Sequence, residues 1–580
     1  MKTSRKKVAV RARVKSYRKL WLMGVAFCLI VAAIIRLPFF GQVPGGLNRD
    51  EAALGYNAYS LLKTGKDEYG KSWPISITSF GDEKLPGYVY TLIPFIAIFH
   101  LNTFSIRLPS LLSGFAVIIG MGILALQLGN GIELNPRQRV YLSFLAMLFM
   151  AISPWANHFS RVAYEAHLAL ALFIFGVVAH QHALSLVDKM HQRTFLVLAA
   201  FCWAATLLTY HSYHIFTPLF VLALLILDFK RIKKIDLSSL LIASAIGLFA
   251  VILLLKGGVL QANLVKSQGI SPFHREDLME QATEFRSVMP GKNALYERLM
   301  FNAVSEGITR FVQNYLYVFA ADFFFVQGSG HGDHNPGNMN NFHPFLAPLL
   351  LAGIVMIWEK RKSVEMRRIV LWLLLGVIPA ALTIQPQHEI RLSPIFPLIN
   401  LLGALGAYAI WSTLRNPRLK KIVLAIFILI LFFAVNRMFV QYVYIIPARV
   451  ESNLRYHYLA RALAKYQTLG LPVITQQPTS SPYIWYLVEN QFDPSKLNTD
   501  IERYPTDGEG FIHVKRIGNV YFETIKWDDL YAWGRKTQLI LVFQPTEVPI
   551  EVQQSGRVAK LEDIHDEKGQ IIYEVWRLTE

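Results

Sequence analysis

The chain reads as a polytopic all-α membrane protein of about eleven transmembrane helices, followed by a C-terminal extracytoplasmic α/β domain. Three observations predict this class. Charged residues are only 17% of the 580 and hydrophobic ones 53%, whereas soluble globular proteins carry about 25% charged residues. The apolar excess is gathered into long runs nearly free of charge, such as 237–255 and 393–410, and runs of about 18 or more residues read as spans. Long polar stretches follow the first run, the eighth and the last, and the final one mixes a helical pattern with short β-type runs. A soluble enzyme, a disordered chain and a disulfide scaffold are thereby excluded.

The N-terminus comes first. Its opening nineteen residues hold nine Lys/Arg and no acid, directly before 20–40, which is apolar except for Arg36. That is the pattern of a cytoplasmic flank, 1–19, holding a first span inside. The net charge of +18 therefore speaks for a membrane flank and against a nucleic-acid partner. The run is too long, and lacks a small-residue cleavage site, for a signal peptide, so it is expected to stay as an anchor. Only Cys28 and Cys202 are present, both inside apolar runs, which leaves no extracytoplasmic disulfide and no Cys-based metal site.

Twelve apolar candidates lie near 20–40, 87–101, 108–128, 140–153, 166–186, 195–209, 214–228, 237–255, 344–358, 369–385, 393–411 and 422–438. The basic loops 230–234, 360–368 and 415–421 decide the parity, because Lys and Arg in short loops stay cytoplasmic. All three fall inside, together with 136–139, only if 87–101 does not cross. That candidate is also short and carries Pro94 in its middle, as interfacial segments do. The expected arrangement is a transmembrane domain over 20–445 in the cell membrane, N-terminus cytoplasmic, with outer loops at 41–107 and 257–343. Within the second loop the aromatic stretch 311–326 suits a lipid surface. Residues 446–580 form the extracytoplasmic domain, with a helical pattern at 450–468 and β-type runs at 472–475, 511–514, 539–543 and 571–575.

Acids of the first outer loop come in pairs: Asp50-Glu51, Asp67-Glu68 and Asp82-Glu83. Such pairs are also ordinary solvated loop charge. Placement beside apolar helices favours a chemical role for the first and third, as general base toward a hydroxyl or as ligands of a divalent metal ion. Lys84 and Tyr88 follow the third pair. Other outer-facing junctions supply Arg107, then Arg161 with Tyr164 and Glu165, then Tyr210 and Tyr213, then His388, Glu389 and Arg391. Arg107, Arg161 and Arg391 sit on the side that the positive-inside pattern disfavours, which together with Lys84 suggests an anionic ligand such as phosphate. Pairing with headgroups or a nearby acid, Arg161 with Glu165 for instance, is the simpler alternative. The Gly/Asn-rich stretch 328–344 holds His331, Asp333, His334 and His343, a set able to ligate a metal yet matching no fixed zinc pattern, and equally suited to a loop that folds over substrate. The spans carry almost no ionisable residue near their centres, unlike coupled transporters.

In order, these motifs are Arg49-Asp50-Glu51, Glu83-Lys84-Leu85-Pro86, Ile106-Arg107-Leu108-Pro109-Ser110, Ser153-Pro154 leading to Ser160-Arg161, and an outer-loop Arg391. Over about the first 445 residues the chain resembles the membrane-embedded C-type (GT-C) glycosyltransferases. The branch it is most similar to is family 39, the protein mannosyltransferase and lipid A aminoarabinose transferase group. The resemblance implies a sugar carried on a polyprenyl phosphate and passed to a protein, lipid or glycan hydroxyl on the outer face, with inversion. It implies catalytic acids among Asp50, Glu51, Asp82 and Glu83. It also implies a donor-phosphate site of Lys84, Arg107, Arg161 and Arg391; Tyr88, Glu165, Tyr210, Tyr213 and His343, from the outer-facing segments, are the candidate substrate-binding residues. Where the family often has Lys-Pro-Pro, this chain has Lys84-Leu85-Pro86. A transporter or flippase of lipid-linked sugars shares the span count and surface acids and is the alternative reading.

Overall fold

A computed structural model describes residues 2–259, 261, 269–289, 294–449, 453–476, 481–507 and 510–578. Parts of the second outer loop and the start of the 450–468 pattern lie outside the described residues. The chain divides into two compact units, one of 1–38 and 110–446, the other of 39–109 and 447–580.

The first unit is helical. Among the described residues, six helices are long and apolar enough to cross a membrane: Ser16–Arg36, Thr103–Gly131, Glu165–Ser185, Leu237–Lys256, Phe396–Thr413 and Pro417–Arg449. The other expected runs contain helices as well, over Pro136–Ile152, Lys189–Leu207, Tyr213–Leu227, Leu346–Glu359 and Val364–Gly376, although the last breaks after Gly376 and does not fill the run expected at 369–385. Their starts carry the chemistry that a helix beginning requires. Asn135 and Gln138 form a reciprocal capping box around Pro136, and Asp236 accepts from the Ser239 amide at 2.9 Å. Outward faces are apolar, as Ile428, Leu429, Phe432 and Phe433 illustrate, which suits lipid rather than water. The chain is a multi-pass membrane protein.

Inside this unit, helices approach through small residues. A Cβ on Gly353 would collide with the Leu402 carbonyl, and one on Gly406 with the Leu349 carbonyl. Leu346–Glu359 and Phe396–Thr413 therefore touch backbone to backbone, the contact that drives association when lipid removes the hydrophobic incentive. Asp228, at the end of Tyr213–Leu227, is buried. Its carboxylate accepts from Arg368 at 2.5 and 3.2 Å and lies 3.3 Å from Nε2 of His180. Breaking a buried pair strands a charge, so Arg368→Ala is expected to cost about 3–5 kcal/mol, read as a lower unfolding midpoint in detergent.

The second unit joins residues 39–109 to the C-terminal segment. Helix Arg49–Thr64 is followed by the two-stranded β1 (Ile77–Ser79) and β2 (Asp82–Lys84), then helix Pro86–Phe99. At 1.5 Å per residue, the latter's 14 residues extend about 21 Å, short of the ~30 Å apolar core of a bilayer. Its Tyr88, Val89, Leu92 and Ile96 are buried, while Ile98 and Phe99 are exposed. The C-terminal segment builds a seven-stranded mixed sheet in the order β4-β5-β6-β3-β7-β9-β8. In sequence these are β3 (Val473–Thr475), β4 (Ile501–Arg503), β5 (Val514–Ile517), β6 (Val520–Phe522), β7 (Leu539–Phe543), β8 (Val558–His565) and β9 (Ile571–Leu578). Strand β3 runs parallel to β6 and β7, and the other pairings are antiparallel. The core comprises Ile474, Leu539, Leu541, Phe543, Trp576 and Leu578, with Leu530 from helix Trp527–Gly534. The runs expected at 472–475, 539–543 and 571–575 are β3, β7 and β9, whereas the run at 511–514 enters a strand only at Val514.

Within this unit, residues 39–109 are fastened to the C-terminal domain by polar contacts. Trp485 donates to the Leu47 carbonyl at 2.7 Å, Tyr483 to Glu68 at 2.9 Å, and Arg503 to the Glu68 carbonyl at 3.0 Å. The Ile512 amide donates to the Phe80 carbonyl at 2.8 Å.

Candidate active site

Asn48 begins helix Arg49–Thr64, and its side chain accepts from the Glu51 amide while Glu51 reaches back to the Asn48 amide. This capping box assigns the two neighbouring acids different surroundings. Glu51 is 1% exposed and grips Arg107 with both oxygens, at 2.8 and 2.9 Å. Arg107, equally buried, also donates to the carbonyls of Pro44 and Gly46 at 2.9 and 2.6 Å. Both charges are therefore engaged within the fold of the loop. Asp50 turns the other way. Its side chain is 51% exposed and meets Nζ of the nearly buried Lys84 at 2.7 Å.

The β1–β2 hairpin presents that lysine. In the register Thr78 faces Glu83 and Ser79 faces Asp82. Glu83 accepts from Ser76 at 2.5 Å and from Thr78 at 2.7 Å, with Lys71 at 3.4 Å. It is thus tied to its own hairpin, one residue from Lys84. Lys84 and Arg49 both lie over the Phe80 ring, at 5.9 and 5.1 Å. Tyr88 is buried and donates to the Ile106 carbonyl at 3.1 Å.

Glu68, the second member of the pair that the sequence left without a role, is fully buried. Tyr483, Ser79 and Asn57 donate to it at 2.9, 3.3 and 3.2 Å. Burial pushes its carboxyl up to about 7, opposed by the Tyr483 hydroxyl and Arg503. A carboxyl raised in the folded state holds its proton longer than the unfolded chain does. Stability is then greatest below about pH 4.5 and falls as pH rises to about 7, by about 3 kcal/mol from this group. Glu68→Gln is expected to flatten that slope in denaturation curves recorded between those pH values.

In the helical unit, Arg161 is fully buried and donates to the carbonyls of Arg36 and Pro38, both at 2.8 Å, with its guanidinium 5.5 Å from the Tyr442 ring. Arg391 donates to the Thr383 hydroxyl at 2.9 Å and has no acid paired with it among the described residues. Burial lowers its pKa, partly offset by Tyr210. Glu165 begins helix Glu165–Ser185 and is half-buried, as is Tyr210. Tyr213 is buried at the start of Tyr213–Leu227. His343 is buried with Nε2 at 2.8 Å from the Ile152 carbonyl.

Among the described residues, one group of three His, Cys, Asp or Glu side chains is close enough to share a metal ion: His331, His334 and His388. Of the four ligands that the sequence offered in the Gly/Asn-rich stretch, His331 and His334 belong to this group, which His388 completes, while Asp333 and His343 are outside it. His388 stood in a motif that the sequence singled out for its arginine, and its convergence with His331 and His334 was missed because the 53 residues between His334 and His388 hide it. The separation of Asp50 from Glu51 was also missed, although Asn48-x-x-Glu51 is a readable capping signal.

The chain aligns with ArnT from Cupriavidus metallidurans bound to undecaprenyl phosphate over 96% of this chain and 97% of that one, at 12% identity and a TM-score of 0.53. The fold is that of the C-type membrane glycosyltransferases. A second GT-C structure agrees: the archaeal oligosaccharyltransferase AglB from Archaeoglobus fulgidus, in complex with an inhibitory peptide and a dolichol-phosphate. It aligns over 95% of this chain and 74% of its own, at 11% identity and a TM-score of 0.51. No family model matches the chain, and no curated protein matches it in sequence.

Proposed function

We propose that this protein is an integral membrane glycosyltransferase that moves a sugar from a polyprenyl-phosphate donor to a hydroxyl acceptor on the extracytoplasmic face, inverting the anomeric carbon. The observation that carries the reading is the Asp50–Lys84 pair, a half-exposed carboxylate held 2.7 Å from a nearly buried ammonium on a loop that the C-terminal domain pins in place. That undecaprenyl phosphate and dolichol-phosphate occupy structures of the same fold supports the donor class.

In this reading an Asp50 oxygen takes the acceptor hydroxyl's proton as the oxygen attacks the anomeric carbon, help worth roughly 10²–10⁴-fold. The bond from that carbon to the phosphate oxygen breaks, and polyprenyl phosphate leaves with the electron pair. Lys84 offsets the charge growing on the phosphate. Glu51 and Arg107 act as positioning residues that fix the helix turn carrying Asp50, and Glu83, with Asp82 beside it, orients the strand carrying Lys84. In the helical unit Arg391 suits a phosphate, since no acid among the described residues neutralises it, while Arg161 suits bracing the end of the first helix. Glu165 and Tyr210 are accessible enough for substrate contact. Tyr88, Tyr213 and His343, being buried, suit support of such contacts.

The test is a product assay. Purified protein incubated with candidate polyprenyl-phosphate sugars and an acceptor is expected to release free polyprenyl phosphate. Movement of labelled donor across vesicles with its sugar–phosphate bond intact would instead establish the flippase.

A further inference from the structure

We propose that His331, His334 and His388 form a binding site for Zn²⁺ or a similar borderline divalent cation in the helical unit. This inference stands apart from the transferase reading and rests on no acid of the first outer loop.

Three observations support it. Ring nitrogens of the three imidazoles all lie within 4.8 Å of one another. Ring centroids are 3.9 Å apart for His331 and His334, 4.7 Å for His334 and His388, and 5.6 Å for His331 and His388. Zinc–nitrogen bonds of about 2.0–2.1 Å set tetrahedral ligand atoms roughly 3.3 Å apart, so a modest rotation of the exposed His331 closes the set. Second, Nδ1 of His334 and Nδ1 of His388 are buried with no hydrogen-bond partner. Buried polar atoms are nearly always satisfied, so two such nitrogens in one cluster call for a ligand. Third, the chain holds the two segments together by means that do not involve the imidazoles. Glu389, fully buried, accepts from the Ser329 amide at 2.8 Å, the Ser329 hydroxyl at 2.5 Å and the Asn341 amide group at 3.3 Å.

The loop geometry serves the same end. The His334 and Asn335 amides donate to the His331 carbonyl at 3.1 and 2.7 Å, which brings positions 331 and 334 to one side of a turn. Gly328 has φ +64, and a Cβ there would overlap the Asn335 side chain and crowd Glu389, so the tight return past Glu389 requires glycine. Beside the cluster is a small pocket lined by His334, His158, Trp155, Asn335 and Met339. Three neutral nitrogens favour zinc over magnesium or calcium, which prefer oxygen ligands. They also leave a fourth position for water or another ligand.

Full-length protein without a polyhistidine tag, stripped with chelator and dialysed against Zn²⁺, is expected to retain one zinc per chain by mass spectrometry. Co²⁺ in its place should give the visible absorption of a four-coordinate nitrogen site. His334→Gln and His388→Gln should lose both signals. Glu389→Gln should weaken binding by roughly 10–100-fold, as loss of a group that orients ligands does. His331→Gln keeps the test decisive if the buried variants misfold, because that side chain is exposed. Asp50→Asn and the exposed His191→Gln should retain zinc. Absence of stoichiometric zinc in the wild type, or zinc unchanged in folded His331→Gln and His388→Gln, would overturn the site. Loss of zinc in Asp50→Asn would likewise overturn it by relocating the metal to the first outer loop.

Discussion

Asp50→Asn is expected to abolish sugar transfer while leaving the protein folded and membrane-inserted. The substitution keeps the size and one hydrogen-bond acceptor of the side chain but removes the basic oxygen, so the loss should reach at least the roughly 10²–10⁴-fold that general-base help supplies. Folding should survive because the carboxylate is half exposed and the Asn side-chain oxygen can still accept from the Lys84 ammonium, which keeps a hydrogen-bond partner. Release of polyprenyl phosphate from a labelled donor, beside an unfolding midpoint in the same detergent, separates the two effects. Near-normal turnover in the purified variant would remove Asp50 from the base role.

Glu51→Ala should behave in the opposite way, with a structural defect first. Its carboxylate is the buried partner of Arg107 and half of the capping box at Asn48. Removing it leaves a guanidinium 1% exposed without its counter-charge, a cost of about 3–5 kcal/mol, and loss of the box adds about 1 kcal/mol. Residues 41–107 should become sensitive to limited proteolysis, and the unfolding midpoint should fall. Adding Arg107→Met should restore part of the loss, since the stranded charge disappears, and the double-mutant cycle measures the coupling directly. A Glu51→Gln protein with an unchanged midpoint but no activity would transfer the base role to Glu51.

The contrast between these two adjacent acids marks the boundary of what could be read from the chain. Helix positions follow from apolar runs because the period and length of a run dictate burial wherever it ends up. Strands β3, β7 and β9 could be read for the same reason, since their alternating or continuous apolar residues fill one core. The ionic partners could not be read that way. Glu51 and Arg107, or Asp228 and Arg368, are far apart in sequence, and nothing local says which cation each acid meets. Glu68 looked like one more solvated loop carboxylate until Tyr483, more than 400 residues later, closed over it.

By itself, then, the sequence determined a basic N-terminal flank, a succession of apolar helices, an acid-rich loop after the first of them and a mixed α/β domain at the end. Those features depend on composition and periodicity, which are local quantities. Tertiary structure alone decided that the acid-rich loop shares a unit with the C-terminal domain, that Asp50 stays accessible while Glu51 is buried, and that His388 joins His331 and His334. Each of these is a contact between distant segments, and its energy comes from desolvation and charge pairing that exist only once the backbone has brought those segments together.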